Sequence, residues 1–309
     1  MQVIAEVVRS GFVESVHRGV VVHVGPGGEV LRAWGDPDTM VFPRSCNKPL
    51  QALGLLRAGL PLDGSLLALA MASHSAEQFH LDGVDAILGQ AGVDRSALQT
   101  PASYPLDPKE HAALLRRGGE RAPILMDCSG KHAAMLLTCA VNDWSLADYL
   151  VSDHPVQQAI AGTFAELTGS EPGAVGVDGC GAPLLATSLR RLASAVGTIA
   201  RGAAGAESQR LADAWLASPE YTSGTRRAEF ALMRAVPGVR AKVGAESVYV
   251  AALPDGSSVA VKIEDGSERP LYAVMNRALE CAGLRADLLT ERPVVLGGGA
   301  PVGEVRVTF

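Results

Sequence analysis

The chain has 309 residues, 48% of them hydrophobic and 19% charged, enough for one large domain or two lobes with a sizeable core. A net charge of −6, with arginines scattered in ones and twos, argues against a nucleic-acid or anionic-membrane partner and leaves a small molecule as the expected ligand. The N-terminal stretch MQVIAEVVRSGFVESVHRG carries Glu6 and Glu14 and lacks the form of a signal peptide, and no apolar run reaches the roughly 18 residues of a membrane span. Five cysteines, an odd number, suit reduced thiols, so the expected setting is cytoplasmic.

The first 34 residues alternate as strands do, and Gly-Pro-Gly-Gly at Gly25 to Gly28 predicts a turn between two of them. From about Ser45 to Val236 the apolar spacing becomes helical, through QALGLLRAGL, GKHAAMLLTCAV, HPVQQAIAGTFAELTG, PLLATSLRRLASAVGTIARG and RLADAWLASP. Strand character returns at AKVGAESVYVAAL and SSVAVKIED, followed by a helix near PLYAVMNRALECAG and a tail strand EVRVTF. Strands at both ends with helices between predict an α/β chain of the α+β kind. One antiparallel sheet is formed by both termini, in a sheet lobe of about 1–44 and 237–309, with a helical lobe of about 45–236 inserted.

Only five of the 27 basic residues are lysine, at 48, 109, 131, 242 and 262, so this chain solvates its surface with arginine. Lysine can lose its proton when desolvated and arginine cannot, so the retained lysines are candidates for positions that need a neutral amine. In RSCNKPLQAL, Lys48 follows Ser45 by three at the head of an apolar run. Ser45 as a simple helix cap is the plain alternative, but a capping box wants Glu or Gln where Lys48 stands. A lysine depressed by burial and the helix terminus is instead a base, and Ser45 the hydroxyl it activates. This Ser-x-x-Lys pattern also opens the active-site helix of serine β-lactamases and penicillin-binding proteins. Lys242-Val243-Gly244 opens a strand where that fold carries Lys-Thr-Gly, with valine in place of the hydroxyl residue, and no Ser-Asp-Asn element is present.

Two glycine-flanked polar segments follow, MDCSGKHAAML and VGVDGCGAPLL. Cys128 and Cys180 are either small buried hydrophobes or, in the company of Asp127, Lys131, His132 and Asp178, two ligands of a zinc ion. Spacing leaves the third donor open between His132 and Lys131. Cys46, Cys139 and Cys281 read as core. In ASHSAEQFH, Ser73 and Ser75 stand before a helix start, where either serine serves as a cap.

Taken in order, RSCNKPLQA, MASHSAEQFH, MDCSGKHAAML, VDGCGAPL, KVGAESVY and VAVKIEDGSERP resemble the motifs of the rhizobial-type L-asparaginases over nearly the whole chain. The resemblance implies a fold like that of serine β-lactamases and Ser-Lys glutaminases, hydrolysis of L-asparagine to aspartate and ammonia, and a homodimer. By motif it implies two Ser-Lys pairs, Ser45 with Lys48 and Ser73 with Lys242. It also implies a zinc site of Cys128, Lys131 and Cys180 that supports substrate binding more than chemistry. Arg44, His132 and Asp178 match positions that line the family's pocket, Arg44 suited to a substrate carboxylate and Asp178 to its ammonium. The same residues leave three other readings: a glutaminase or penicillin-interacting hydrolase, a cysteine-nucleophile amidohydrolase, and a non-catalytic zinc or amino-acid-binding protein.

Overall fold

Ser10 and Gly11 take φ of 49° and 82°, the left-handed pair that a two-residue hairpin turn requires, and fold β1 (Gln2–Arg9) onto β2 (Phe12–Val24). At the predicted glycine turn Gly28 has φ 84° and the Gly25 N–H donates to Glu29 O at 2.8 Å, which returns β3 (Val30–Trp34) along β2. The short β4 (Met40–Val41) and a 3-10 turn at Arg44–Asn47 lead into the helices. These are α1 (Lys48–Arg57), α2 (Gly64–Ala70), α3 (Gln78–Gln90), α4 (Pro108–Arg116), α5 (Ser129–Val141) and α6 (Pro155–Thr168). Then come β5 (Val175–Val177), β6 (Pro183–Leu185), β7 (Thr187–Ser188), α7 (Leu189–Ala200), α8 (Ala206–Ala217), α9 (Pro219–Thr222) and α10 (Ala228–Ala235). The last elements are β8 (Arg240–Gly244), β9 (Val248–Ala252), β10 (Ser258–Ile263), α11 (Leu271–Cys281), β11 (Val294–Gly297) and β12 (Ala300–Val307). The structure is a computed structural model and describes residues 1–284 and 294–309.

The chain forms two compact units. The first comprises Met1–Cys46, Ala186–Thr198 and Ala231–Phe309, and holds an antiparallel sheet in the order β11-β12-β1-β2-β10-β9-β8, with β3 also on β2. Val7 pairs with Val305 and Val22 with Ala260, so strands from both ends of the chain share one sheet, which is the α+β class expected from the sequence. β9 is buried along its whole length, so its five residues VYVAA read as a continuous apolar run rather than as an alternation. Ala186–Thr198 falls inside the stretch expected to be helical lobe, yet it belongs to the sheet unit: β7 pairs with β4, and the Leu189 N–H donates to Thr39 O at 3.1 Å.

AKVGAESVYVAAL is not one strand but a hairpin, β8 and β9, because Glu246 and Ser247 take φ of 57° and 53° and reverse the chain. Nor does Ser45 cap α1. The cap position is Asn47, without a side-chain bond, and Lys48 is the first helical residue rather than the third, with Pro49 next. Neither Ser73 nor Ser75 caps α3, whose cap position is Glu77. Cys46 and Cys139 are buried as expected of core, whereas Cys281 is half-buried.

The second unit, Asn47–Leu185 and Ile199–Phe230, is built on two helices with no polar face. Residues 48–56 of α1 and 129–139 of α5 are buried on every side. Each buried leucine of α1 contributes about 1.5–3 kcal/mol by leaving water. Gly54 lets α1 close on α6, since a Cβ there would stand 2.9 Å from Ile160 Cα. Both helices begin with a polar first turn, and that is where Lys48 and Lys131 sit. Among the described residues no helix is long and apolar enough to cross a membrane.

Candidate active site

Lys48 is sealed inside the helical unit with no exposed surface. Its Nζ donates to Ala72 O at 2.5 Å and to Ser73 Oγ at 3.0 Å, and stands 3.5 Å from an Asp127 carboxylate oxygen. A buried ammonium needs such partners to persist. Burial pushes Lys48 toward the neutral amine, but the Cys128 sulfur and Asp127 oppose it and the balance lies above the ordinary lysine value. The expected depression is therefore reversed among the protein groups around it. The causes are the Cys128 sulfur first and Asp127 second, and no local pattern announces that either lies near Lys48.

Ser73 is held from its backbone side. Its N–H donates to Thr222 O at 3.0 Å, the Ser75 hydroxyl donates to Ser223 O at 2.9 Å, and the Glu77 carboxylate accepts from Thr225 N–H at 2.8 Å and Thr225 Oγ1 at 2.6 Å. Arg226 joins this web through Glu77, 3.4 Å away, and ties it to Asp107, with Nε and Nη2 each 3.0 Å from a carboxylate oxygen. Gly224 has φ 137° and sits where a Cβ would lie 2.2 Å from Ser75 Oγ, so only glycine allows the two loops to interlock. The loop that carries Ser73 is thus fixed at several points by backbone and side-chain bonds, which suits a group that must be held for chemistry.

The cysteine motifs meet in the same unit. Lys131 Nζ lies 3.2 Å from Cys180 Sγ, and Cys128 packs beside Cys180 in one buried cluster, so that the two sulfurs share a side-chain bond. That bond holds Cys180 well below an ordinary thiol, helped by the Lys131 ammonium and against its own burial, and the same bond with burial raises Cys128. Lys131 is pushed down by burial, but the Cys180 and Cys128 sulfurs and Asp178 outweigh this and leave it above its ordinary value. Cys180 comes from the turn between β5 and β6, closed by the Gly181 N–H to Asp178 O bond at 2.8 Å, with Gly181 at φ 88°. Asp178, half-buried in this turn, has a carboxylate oxygen 3.9 Å from Cys180 Sγ.

His132, expected at the substrate, has no exposed surface, and its Nδ1 lies 2.8 Å from Tyr149 Oη. Burial holds the ring below the ordinary histidine value. Tyr149 was not singled out by any motif; it lies in the segment after α5 and also accepts from the Gln99 N–H at 3.1 Å. Among the described residues no group of three or more His, Cys, Asp or Glu side chains is placed to hold a metal, so a zinc set here depends on Lys131 beside Cys128 and Cys180. Two sulfurs and one amine are brought together and buried; the sulfurs are zinc donors, and the amine could join them only by giving up its proton.

The sheet unit carries the other candidates. Ser45 lies in the 3-10 turn, preceded by Arg44 at φ 49°, whose guanidinium stands 4.0 Å from Glu246. Lys242, fully buried on β8, donates from Nζ to Val243 O at 2.9 Å. The Cys46 thiol donates to Lys242 O at 3.1 Å, and a Cβ on Gly244 would stand 2.8 Å from Pro43 O and 3.2 Å from Ser45 N. The turn bearing Ser45 therefore rests on the strand bearing Lys242.

A model of the L-asparaginase II family matches residues 5–307. No curated protein matches the chain. Similar solved structures include a β-lactamase (Mb2281c) from Mycobacterium bovis, 13% identical with a TM-score of 0.49, covering 86% of this chain and 95% of that one. A putative β-lactamase from Bacteroides dorei is 15% identical with a TM-score of 0.38, covering 85% and 93%. Mglu in its tris and glutamate form is 16% identical with a TM-score of 0.37, covering 87% of this chain and 60% of that one.

Proposed function

Since the chain belongs to the L-asparaginase II family, we propose that it hydrolyses the side-chain amide of L-asparagine to L-aspartate and ammonia. The family match over residues 5–307 carries this reading. The buried contact between Lys48 and Ser73 Oγ supports its Ser-Lys chemistry.

The reaction is acyl transfer. A serine hydroxyl attacks the amide carbon while a lysine amine takes its proton, the C–N bond breaks, and the proton goes out with the departing ammonia. Water then hydrolyses the aspartyl ester and restores the hydroxyl. The resemblance assigns the nucleophile to Ser45 and the base to Lys48, with Ser73 and Lys242 as the second pair. The 3.0 Å contact between Lys48 Nζ and Ser73 Oγ supports a proton relay between them, by which Lys48 passes a proton to Ser73 and is the neutral amine when it acts as base. Arg44 serves the α-carboxylate and Asp178 the α-ammonium of the substrate.

Cys128, Lys131 and Cys180 would hold a zinc ion, Lys131 giving up a proton to bind it. Such an ion supplies a fixed positive centre for substrate binding. His132, one residue after Lys131, is braced by Tyr149 through its Nδ1 at 2.8 Å. In this reading the protein is a cytoplasmic homodimer, the assembly being checked by light scattering.

Ser45→Ala and Ser73→Ala, assayed for ammonia release and for a covalent aspartyl group by mass spectrometry, test the mechanism. Loss of both turnover and adduct in Ser45→Ala, with adduct retained in Ser73→Ala, is the expected pattern. Full turnover in Ser45→Ala sinks the nucleophile assignment.

A further inference from the structure

His74 follows Ser73 directly and is absent from the roles assigned above. Its ring has no exposed surface, yet both ring nitrogens have partners. The Ala76 N–H donates to Nδ1 at 3.1 Å, which makes Nδ1 the acceptor and puts the ring proton on Nε2. That Nε2–H points at Ser129 Oγ, 2.7 Å away, and the Ser129 hydroxyl in turn donates to Ile124 O at 2.8 Å. The His74 backbone N–H donates to Asp127 O at 3.0 Å. One directed run of bonds therefore links the Ser73 loop to the first turn of α5, the turn preceded by Cys128 and containing Lys131.

We infer that His74 is a positioning residue, a neutral strut that sets the Ser73 hydroxyl against Lys48 by tying its loop to Ser129 at the start of α5. Burial supports the neutral ring, lowering its pKa to about 3, with the neighbouring His80 ring stacked at 5.2 Å adding to the shift. Both nitrogens are committed to the loop and to α5, so the ring is not itself the base. The Ala76 bond alone would close a local turn. The Ser129 bond is the part that reaches another element, and the two separate experimentally. The kinetic half of this inference rests on the asparaginase reading, and the loop-ordering half stands without it.

Two substitutions divide the ring's bonds. His74→Asn keeps an acceptor near the Nδ1 position but is too short to reach Ser129, while His74→Gln carries an N–H out to the Nε2 position and gives up the Nδ1 acceptor. Ser129→Ala removes the far end of the strut. The readouts are kcat and KM for L-asparagine, the thermal midpoint, and backbone hydrogen exchange in peptides spanning residues 71–77 and 127–131. For His74→Asn and Ser129→Ala the expected result is kcat lower by about 10- to 100-fold with KM unchanged, since a misplaced catalytic group loses rate rather than ground-state binding. Both also exchange faster in the two segments, and His74→Gln recovers most of the rate and the protection. Wild-type exchange and kcat in His74→Asn overturn the inference. So does equal loss in Asn and Gln variants accompanied by loss of the acidic limb of the pH–rate profile, which would make the ring a base. If the wild-type protein releases no ammonia, the functional reading fails, while the exchange data still decide whether the strut exists.

Discussion

Lys48 and Lys131 are two amine groups buried at the starts of two almost fully buried helices of one unit, and the chain surrounds each with acceptors. Their scarcity in an arginine-rich chain marked them, and with Lys242 they prove to be among the largest fully buried side chains. The surroundings of Lys48 were not legible, because Asp127 reaches it from 79 positions away in sequence, and such a contact leaves no local pattern. Lys48→Met is expected to keep the fold by circular dichroism and to lower kcat by about 10²–10⁴-fold, the usual share of a general acid–base group. Lys48→Arg should not rescue it, as arginine keeps its charge. Lys131→Met should weaken zinc binding, measured by competition with a chromophoric chelator, by at least ~10-fold. Unchanged zinc affinity in that variant would remove Lys131 from the ligand set.

At the scale of elements, the strand pattern of the N-terminus and the helical spacing of the middle were readable because each repeats locally. What escaped was where elements stop. The hairpin of β8 and β9 turns on Glu246 and Ser247, residues that carry no glycine or proline to mark a left-handed turn. The cap of α1 shifted from Ser45 to Asn47 because a 3-10 turn intervenes, and such turns carry little sequence signal. Gly244 is where the hairpin serves the chemistry, since it lets β8 approach the backbone of the turn that carries Ser45. Gly244→Ala places a methyl 2.8 Å from Pro43 O and 3.2 Å from Ser45 N, so it is expected to cost about 1–3 kcal/mol in urea unfolding and to lower kcat. Wild-type stability and turnover in that variant would show that the turn has room to move.

Over the whole molecule, two buried histidines give stability a pH dependence of known sign. The folded pKa of His74 is about 3 and that of His80 about 4, both lowered first by burial, against about 6.5 for an exposed histidine. The unfolded chain therefore takes up protons first as pH falls, and stability present above about pH 6.5 is lost on acidification toward those folded values. Between pH 6 and 5 the slope from these two groups approaches about 1.4 kcal/mol per unit for each, read from urea midpoints, and His80→Gln should remove its share. The alternation of strand-rich ends and helical middle was visible in the sequence, because strands far apart in the chain share one sheet. The return of Ala186–Thr198 to the sheet unit was not, since β7 spans only two residues. The measurement that bears most directly on the account is ammonia release from L-asparagine and from L-glutamine by the purified protein, with and without added zinc. The account predicts release from asparagine that Lys48→Met lowers by about 10²–10⁴-fold; no release from either amide under any of these conditions would contradict it.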